Sequence, residues 1–260
     1  MTIATKTLLP YAAILLGLTL SSQASAANLS TLPQNAALFG GQRLVDANCY
    51  NHLEMQSDGN LVVYAGIGTS IPQALWSSRT SGIEGAPDGY SYLESSGNFA
   101  TLLYPPVSEY AGFVPETFWS SGSESYVPVA LEMQTDGNLV LYPANSIGTN
   151  AIWASNTSEC CEDQPPPPVS CPMESSYTQL YPNVYLNGLT PVSTFELFGS
   201  GACGTQCAAA GSCTGWTSSG DTCTMYTGIP TIVTNHTIVN PALNLMSGII
   251  VKPRLEIIRL

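Results

Sequence analysis

Positive charge is almost missing from this chain. Six lysines and arginines stand against 18 aspartates and glutamates in 260 residues, a formal charge of −12. A surface of that sign repels phosphates, which argues against nucleic acid or anionic membranes as partners and is indifferent to neutral ligands. Histidine is scarcer still, with only His52 and His236. No Ser/His/Asp set, metal-ligand cluster or phosphate loop can be assembled from what remains, so no catalytic residue, cofactor or metal is expected. Beyond the N-terminus no apolar run reaches the eighteen residues that a membrane helix needs. Charged residues of both signs make up 9% of the chain. Glycine, serine, threonine and proline are abundant instead, which favours short strands and turns over long surface helices.

The N-terminus is the exception to the shortage of apolar runs. Lys6, the apolar stretch Leu8 to Leu20 and the small residues Ala24-Ser25-Ala26 have the three-part layout of a secretory signal. A membrane anchor is the alternative, but the run is short and the small-residue site follows it directly. Residues 1–26 are therefore expected to be removed, and Lys6 goes with them. That leaves 18 acidic and 5 basic residues, a charge of −13. The product is expected to be secreted and extracellular, or periplasmic in a bacterium. The eight cysteines, all beyond the signal, fit disulfides in an oxidising compartment. Asn28, Asn156 and Asn235 begin N-x-S/T sequons, which matter only in a host that glycosylates.

Residues 27–158 hold a threefold repeat. Gln56-Ser57-Asp58-Gly59-Asn60-Leu61-Val62-Val63-Tyr64 returns as Gln134-Thr135-Asp136-Gly137-Asn138-Leu139-Val140-Leu141-Tyr142. As extended strands, each copy would put Gln, Asp, Asn, Val and Tyr on one face and apolar residues on the other. The apolar face is core. The other offers two amides, a carboxylate, a phenol and a small apolar patch, a set that suits neighbouring sugar hydroxyls and a ring edge. An Asx turn at Asp-Gly-Asn is the structural alternative, but a turn has no use for the flanking Gln and Tyr. A weaker copy lies between the two, with Glu94, Ser96, Asn98, Ala100 and Leu102 at the five positions. Its carboxylate and phenol are out of place, so the strand is expected to serve the fold and the site to be silent, although Tyr104 lies further along the same face. Each copy is followed by a tryptophan: Trp76, Trp119 and Trp153. These rings are read as core residues meeting near a pseudo-threefold axis, in preference to platforms for sugar stacking.

The spacing Q-x-D-x-N-x-V-x-Y, complete twice, resembles the mannose-binding motif of the bulb-type lectins, the monocot or snowdrop-like family. The resemblance implies an all-β, β-prism II fold: three four-stranded antiparallel sheets about a pseudo-threefold axis. It further implies that Asp58 and Asn60 hold the 2-hydroxyl of mannose, Gln56 the 3-hydroxyl and Tyr64 the 4-hydroxyl, with Val62 against the ring. Asp136, Asn138, Gln134, Tyr142 and Val140 would repeat this. Four hydrogen bonds at a net of about 1 kcal/mol each, opposed by lost rigid-body freedom, imply roughly millimolar affinity for one sugar. Useful binding then needs several sites on one glycan or glycoprotein, and the family's dimers would add to these. A glycosidase pair is the remaining enzyme reading, but Asp58 and Asp136 belong to different repeats.

Residues 159–170 include Pro165 to Pro168 and read as a stiff linker. Residues 171–260 form a second unit. Ala202 to Gly211 is expected to be a short helix, carrying Cys203 and Cys207 on one face. Strands around Cys213 and Cys223 follow, joined by a Ser-Ser-Gly turn. This order resembles the PAN/apple-like domains, small disulfide-rich α+β units. The resemblance implies Cys203–Cys223 and Cys207–Cys213; zinc is the alternative for four cysteines so close together. Of Cys49, Cys160, Cys161 and Cys171, one of the adjacent pair is expected to reach Cys49 and the other Cys171, since neighbours rarely join each other. Ile249 to Leu260 alternates loosely, as a closing strand would. The rival reading of the whole chain is an adhesive module: the lectin fold is scaffold and the PAN-like unit binds a protein partner.

Overall fold

The computed structural model describes residues 29–67, 69, 71–82, 89–103, 116–125, 127–158, 171, 173–182, 186, 189–196, 200–219, 222–228 and 245–252. The expected signal (1–26), the linker (159–170), Cys160, Cys161, Tyr104, Asn28, Asn235 and His236 lie outside the described residues.

Three antiparallel sheets surround one core. The first repeat builds β4 (Asn51–Met55), β5 (Leu61–Ala65) and β6 (Gln73–Ser77). The middle repeat builds β7 (Tyr90–Leu93), β8 (Phe99–Leu103) and β9 (Glu116–Ser120). The third builds β10 (Val129–Met133), β11 (Leu139–Pro143) and β12 (Trp153–Ala154). Each sheet gains its fourth strand from the run just before them. That run gives β1 (Thr31–Pro33) to the third repeat, β2 (Ala36–Phe39) to the middle and β3 (Arg43–Val45) to the first. One extended segment therefore ties all three repeats together.

Period-two alternation decides what faces inward. Leu53, Met55, Leu61 and Val63 from the first sheet meet Leu131, Met133, Leu139 and Leu141 from the third, all buried in one cluster with Leu38, Leu93 and Phe99. Each such side chain contributes about 1.5–3 kcal/mol by leaving water. The three tryptophans pack against this cluster and touch one another edge to face. Their centroids are 5.0 Å (Trp76–Trp119), 5.8 Å (Trp76–Trp153) and 5.7 Å (Trp119–Trp153) apart. Ring edges pointed at ring faces are the favoured arrangement.

The middle sheet departs from the four-stranded expectation, because the second unit continues it. β13 (Tyr177–Pro182) pairs with β2 through Thr178↔Ala37 and Gln179↔Ala36. Beyond it lie β17 (Leu245–Val251), β15 (Gly215–Ser219), β16 (Thr222–Thr227) and β14 (Thr190–Glu196), completing a nine-stranded sheet. The closing strand thus begins at Leu245, four residues before the expected start, and lies between β13 and β15. The helix α1 (Ser200–Ala209) packs on this second half, with Cys203 joined to Cys223 and Cys207 to Cys213.

Cys49 and Cys171 are joined to each other, with Cα atoms 5.4 Å apart. The expectation that they take partners from Cys160 and Cys161 is thereby corrected. Residues 175–176 return along the edge of the first sheet: the Ser176 amide donates to the Arg43 carbonyl (2.9 Å) and the Val45 amide to Ser175 Oγ (2.9 Å). That return carries Cys171 to the β3–β4 loop, where Cys49 sits. Among the described residues no helix is long and apolar enough to cross a membrane, and no three His, Cys, Asp or Glu side chains group as metal ligands.

Candidate functional site

The motif is a hairpin rather than one continuous strand. Residues 56–60 form the turn between β4 and β5, and the extended segment begins at Leu61. The Gln56 amide donates to the Asn60 carbonyl (2.8 Å) and the Gly59 amide to the Gln56 carbonyl (3.1 Å). Gly59 takes φ +86°, where a side chain is strained. Asp58 closes an Asx turn, its Oδ1 accepting from the Asn60 amide at 3.0 Å. The expected uninterrupted alternation therefore fails at Asp58-Gly59-Asn60. A local side-chain bond to the backbone outcompetes extension there.

The turn nevertheless gathers the residues that the sequence singles out. Gln56 Nε2 donates to the Tyr64 hydroxyl (2.8 Å), linking the first and last motif positions across the hairpin. Asn60 is fixed by residues just past the end of β6. Its Oδ1 accepts from Ser78 Oγ (3.1 Å) and the Thr80 amide (3.2 Å). Thr80 Oγ1 donates to the Gly59 carbonyl (2.6 Å), and the Leu61 amide donates to Ser78 Oγ (3.0 Å). With Oδ1 taken by two donors, the planar amide turns its Nδ2 the other way, as a donor to something else. Asp58 is exposed, Gln56, Asn60 and Tyr64 are half-buried, and Val62 is a buried floor at 3% exposure.

The third repeat has the same construction. Gln134 Nε2 donates to the Tyr142 hydroxyl (3.0 Å), and Asp136 Oδ1 accepts from the Asn138 amide (2.9 Å). Asn138 Oδ1 accepts from Ser155 Oγ (3.1 Å) and the Thr157 amide (3.3 Å). Val140 is again a buried floor at 2% exposure, and Tyr142 is 7% exposed.

Ser78 with Thr80, and Ser155 with Thr157, are the contributors that the motif alone does not reveal. Their signal is present in the sequence: Trp-x-Ser-x-Thr recurs at Trp76-Ser77-Ser78-Arg79-Thr80 and Trp153-Ala154-Ser155-Asn156-Thr157, with Ser123 as the last member of the middle copy.

The middle repeat keeps the turn and the fixed asparagine. Asn98 Oδ1 accepts from Ser121 Oγ (3.2 Å) and the Gly122 amide (3.0 Å). Ser96 Oγ stands in for the aspartate at the Asn98 amide (3.3 Å) and itself donates to Glu94 Oε2 (2.8 Å). The difference is on the outer face. Cross-strand partners share a face, so the registers Ala37↔Tyr92↔Ala100 and Phe39↔Tyr90↔Leu102 mark the counterpart of the motif face. Ala37, Phe39 and Tyr90 are buried against Cys203 and Cys207 of α1 and against Trp216, with Tyr92 and Leu102 packed alongside. Phe39 stacks on Tyr90 at 5.1 Å and meets the edge of Trp216 at 5.7 Å. A Cβ placed on Gly204 of the helix would lie 2.4 Å from the Phe39 ring. The second unit thus covers the face of the middle repeat that corresponds to the polar face of the other two.

The two open sites differ electrostatically. Opposite Val62 stands Glu54, whose carboxyl is held below the usual carboxylate range by the His52 hydrogen bond and by Arg43, against the cost of its burial. Arg43 Nη2 lies 3.7 Å from Glu54 Oε1 and His52 Nε2 3.5 Å from Oε2. The His52 ring stacks on Tyr64 at 5.2 Å. Opposite Val140 stands Glu132, pushed up by burial and by the nearby Asp136 charge, with a Gln134 hydrogen bond opposing. Its cross-strand neighbour is Thr31, and Ala130 takes the place of the histidine.

No family model matches the sequence, and the comparison with curated proteins finds no match. Solved structures do match. A monomeric monocot mannose-binding lectin from Gastrodia elata is 28% identical, with a TM-score of 0.38, over 49% of this chain and 97% of its own. The lectin of Marasmius oreades is 24% identical, TM-score 0.38, over 50% of this chain and 92% of its own. The mannose-specific agglutinin of snowdrop, Galanthus nivalis, solved with methyl-α-D-mannoside, is 22% identical, TM-score 0.35, over 46% of this chain and 97% of its own. Bulb-type mannose-binding lectins are thus among the structural neighbours of about half the chain.

Proposed function

We propose that this protein is a secreted, non-catalytic lectin that recognises mannose-containing glycans through the first and third repeats. The observation that carries this reading is the pair of matching polar clusters. In each, Gln is bonded to Tyr across the hairpin, Asp caps the amide of Asn, a buried valine lies on the same strand, and the asparagine Oδ1 is held by a serine hydroxyl, leaving its amide hydrogens to another acceptor. Gln56, Asp58, Asn60 and Tyr64, with their counterparts Gln134, Asp136, Asn138 and Tyr142, are assigned to the sugar hydroxyls. Such a constellation supplies donors and acceptors in several directions at no ordering cost, which is what a polyhydroxylated ring needs. Residues 27–158 are the lectin domain and residues 171–260 a PAN/apple-like unit. Two sites per chain, multiplied by dimerisation, give avidity for surfaces rich in mannose.

The test is retention on immobilised mannose. Asp58→Asn with Asp136→Asn keeps an oxygen to accept the Asn60 and Asn138 amides, so the turns survive while both carboxylates go. Loss of retention by a folded double variant is the expected result; undiminished retention would sink the assignment.

A further inference from the structure

A cleft lies across the sheet from the first-repeat site. Gly41, Arg43, Met173, Glu174, Ser176 and Lys252 line a recess of about 280 Å³ where the second unit meets the edge of the first sheet. Arg43 connects it to the motif, since Arg43, Glu54 and Val62 are successive cross-strand neighbours on one face. Adjacent strands lie about 4.8 Å apart, so Arg43 stands about 10 Å across the sheet from the Val62 floor. That is the reach of one more pyranose ring.

We infer that this cleft is a second-sugar subsite, so that the first repeat binds a disaccharide unit while the third binds a single terminal sugar. The inference rests on the first repeat being a mannose site. The lining is mixed: a guanidinium, an ammonium, a carboxylate and a hydroxyl, with Met173 as an apolar surface. An anion is a poor fit, because Glu174 lines the cleft and Glu54 already faces Arg43 at 3.7 Å. A neutral sugar, whose hydroxyls both donate and accept, matches all of these groups. Both basic side chains come from the 5 in a mature chain of charge −13, and Lys252 arrives only because β17 ends beside the first sheet. The third repeat has Thr31 at the place of Arg43, and among the described residues no strand pairs with β1 on its outer side.

The experiment uses the full chain carrying Asp136→Asn, which leaves the first repeat alone. Affinities for methyl α-mannoside and for an α-linked mannobiose are compared. The disaccharide should bind about five- to thirtyfold tighter, the gain from one or two net hydrogen bonds. Glu174→Ala with Lys252→Ala, both exposed and outside the motif, should bring that ratio to about one without changing monosaccharide affinity. An equal preference in parent and variant, or no preference in the parent, overturns the subsite. If the parent binds neither sugar, the first repeat is not a mannose site at all, which is a failure of the parent reading.

Discussion

The middle sheet and its two neighbours share one turn, one fixed asparagine and one tryptophan per repeat, and differ in what lies on the outer face. On the first and third sheets that face carries the polar cluster, with Asp58 and Asp136 exposed. On the middle sheet it is covered by α1 and the disulfide cluster around Trp216. The residues that persist in all three copies are those the hairpin needs. Asn98 stays because Ser121 and the Gly122 amide bond to it. The residues that change are those whose face is covered: Leu102 replaces Tyr and packs on the second unit, and Ala100 replaces Val and is fully buried. The positions that the hairpin needs and those of the outer face are therefore separable within one motif.

The comparison breaks most severely at Gly204. In Gly204→Val the new side chain would enter the Phe39 ring, itself only 1% exposed and unable to move aside. The expected loss is about 2–3 kcal/mol, read as a lower urea midpoint; an unchanged midpoint would mean that α1 does not sit on β2.

A restored motif sharpens the same contrast. Glu94→Gln, Ser96→Asp, Ala100→Val and Leu102→Tyr together rebuild all five positions, yet the number of mannoside sites per chain should stay at two. A third site would show that the face is open.

Ser78→Ala removes a partner of Asn60 without touching the sugar positions. Methyl mannoside affinity at the first repeat should fall roughly fivefold, about 1 kcal/mol, and the third repeat should be unaffected. Equal binding would place the orienting role elsewhere.

The smallest effect concerns Glu54. Its folded-state pKa is depressed, so its contribution to stability is present above the ordinary carboxylate value and is lost as pH falls through the depressed one. Wild type should exceed Glu54→Gln in stability at pH 7, and the gap should close under strongly acidic conditions. Glu132 has the opposite sign: its raised value makes the ionised form a burden to the fold at neutral pH, so Glu132→Gln should be neutral or slightly stabilising there.

Much of this was legible in the residues. Strand periodicity placed Leu61, Val63, Leu139 and Leu141 inward, and the spacing of the tryptophans anticipated their meeting. The asparagine lock was legible in principle, as Trp-x-Ser-x-Thr, but its role depends on β6 and β12 lying beside the turns, which is a tertiary fact. The extended reading of residues 56–60 failed because Asp58 bonds to the backbone two residues on. Cys49–Cys171 was not readable, since it follows from a return of the chain along β3 that no local pattern encodes. The cover over the middle face was hidden for the same reason: the degenerate copy signalled a loss but not its cause.

The most direct measurement is an NMR titration of the folded protein with methyl α-mannoside, following the turn amides of all three repeats. The account predicts saturable shifts at Gln56–Asn60 and Gln134–Asn138, none at Glu94–Asn98, and loss of one set in each single Asp→Asn variant. Shifts at Glu94–Asn98, or none at the two complete motifs, would contradict it.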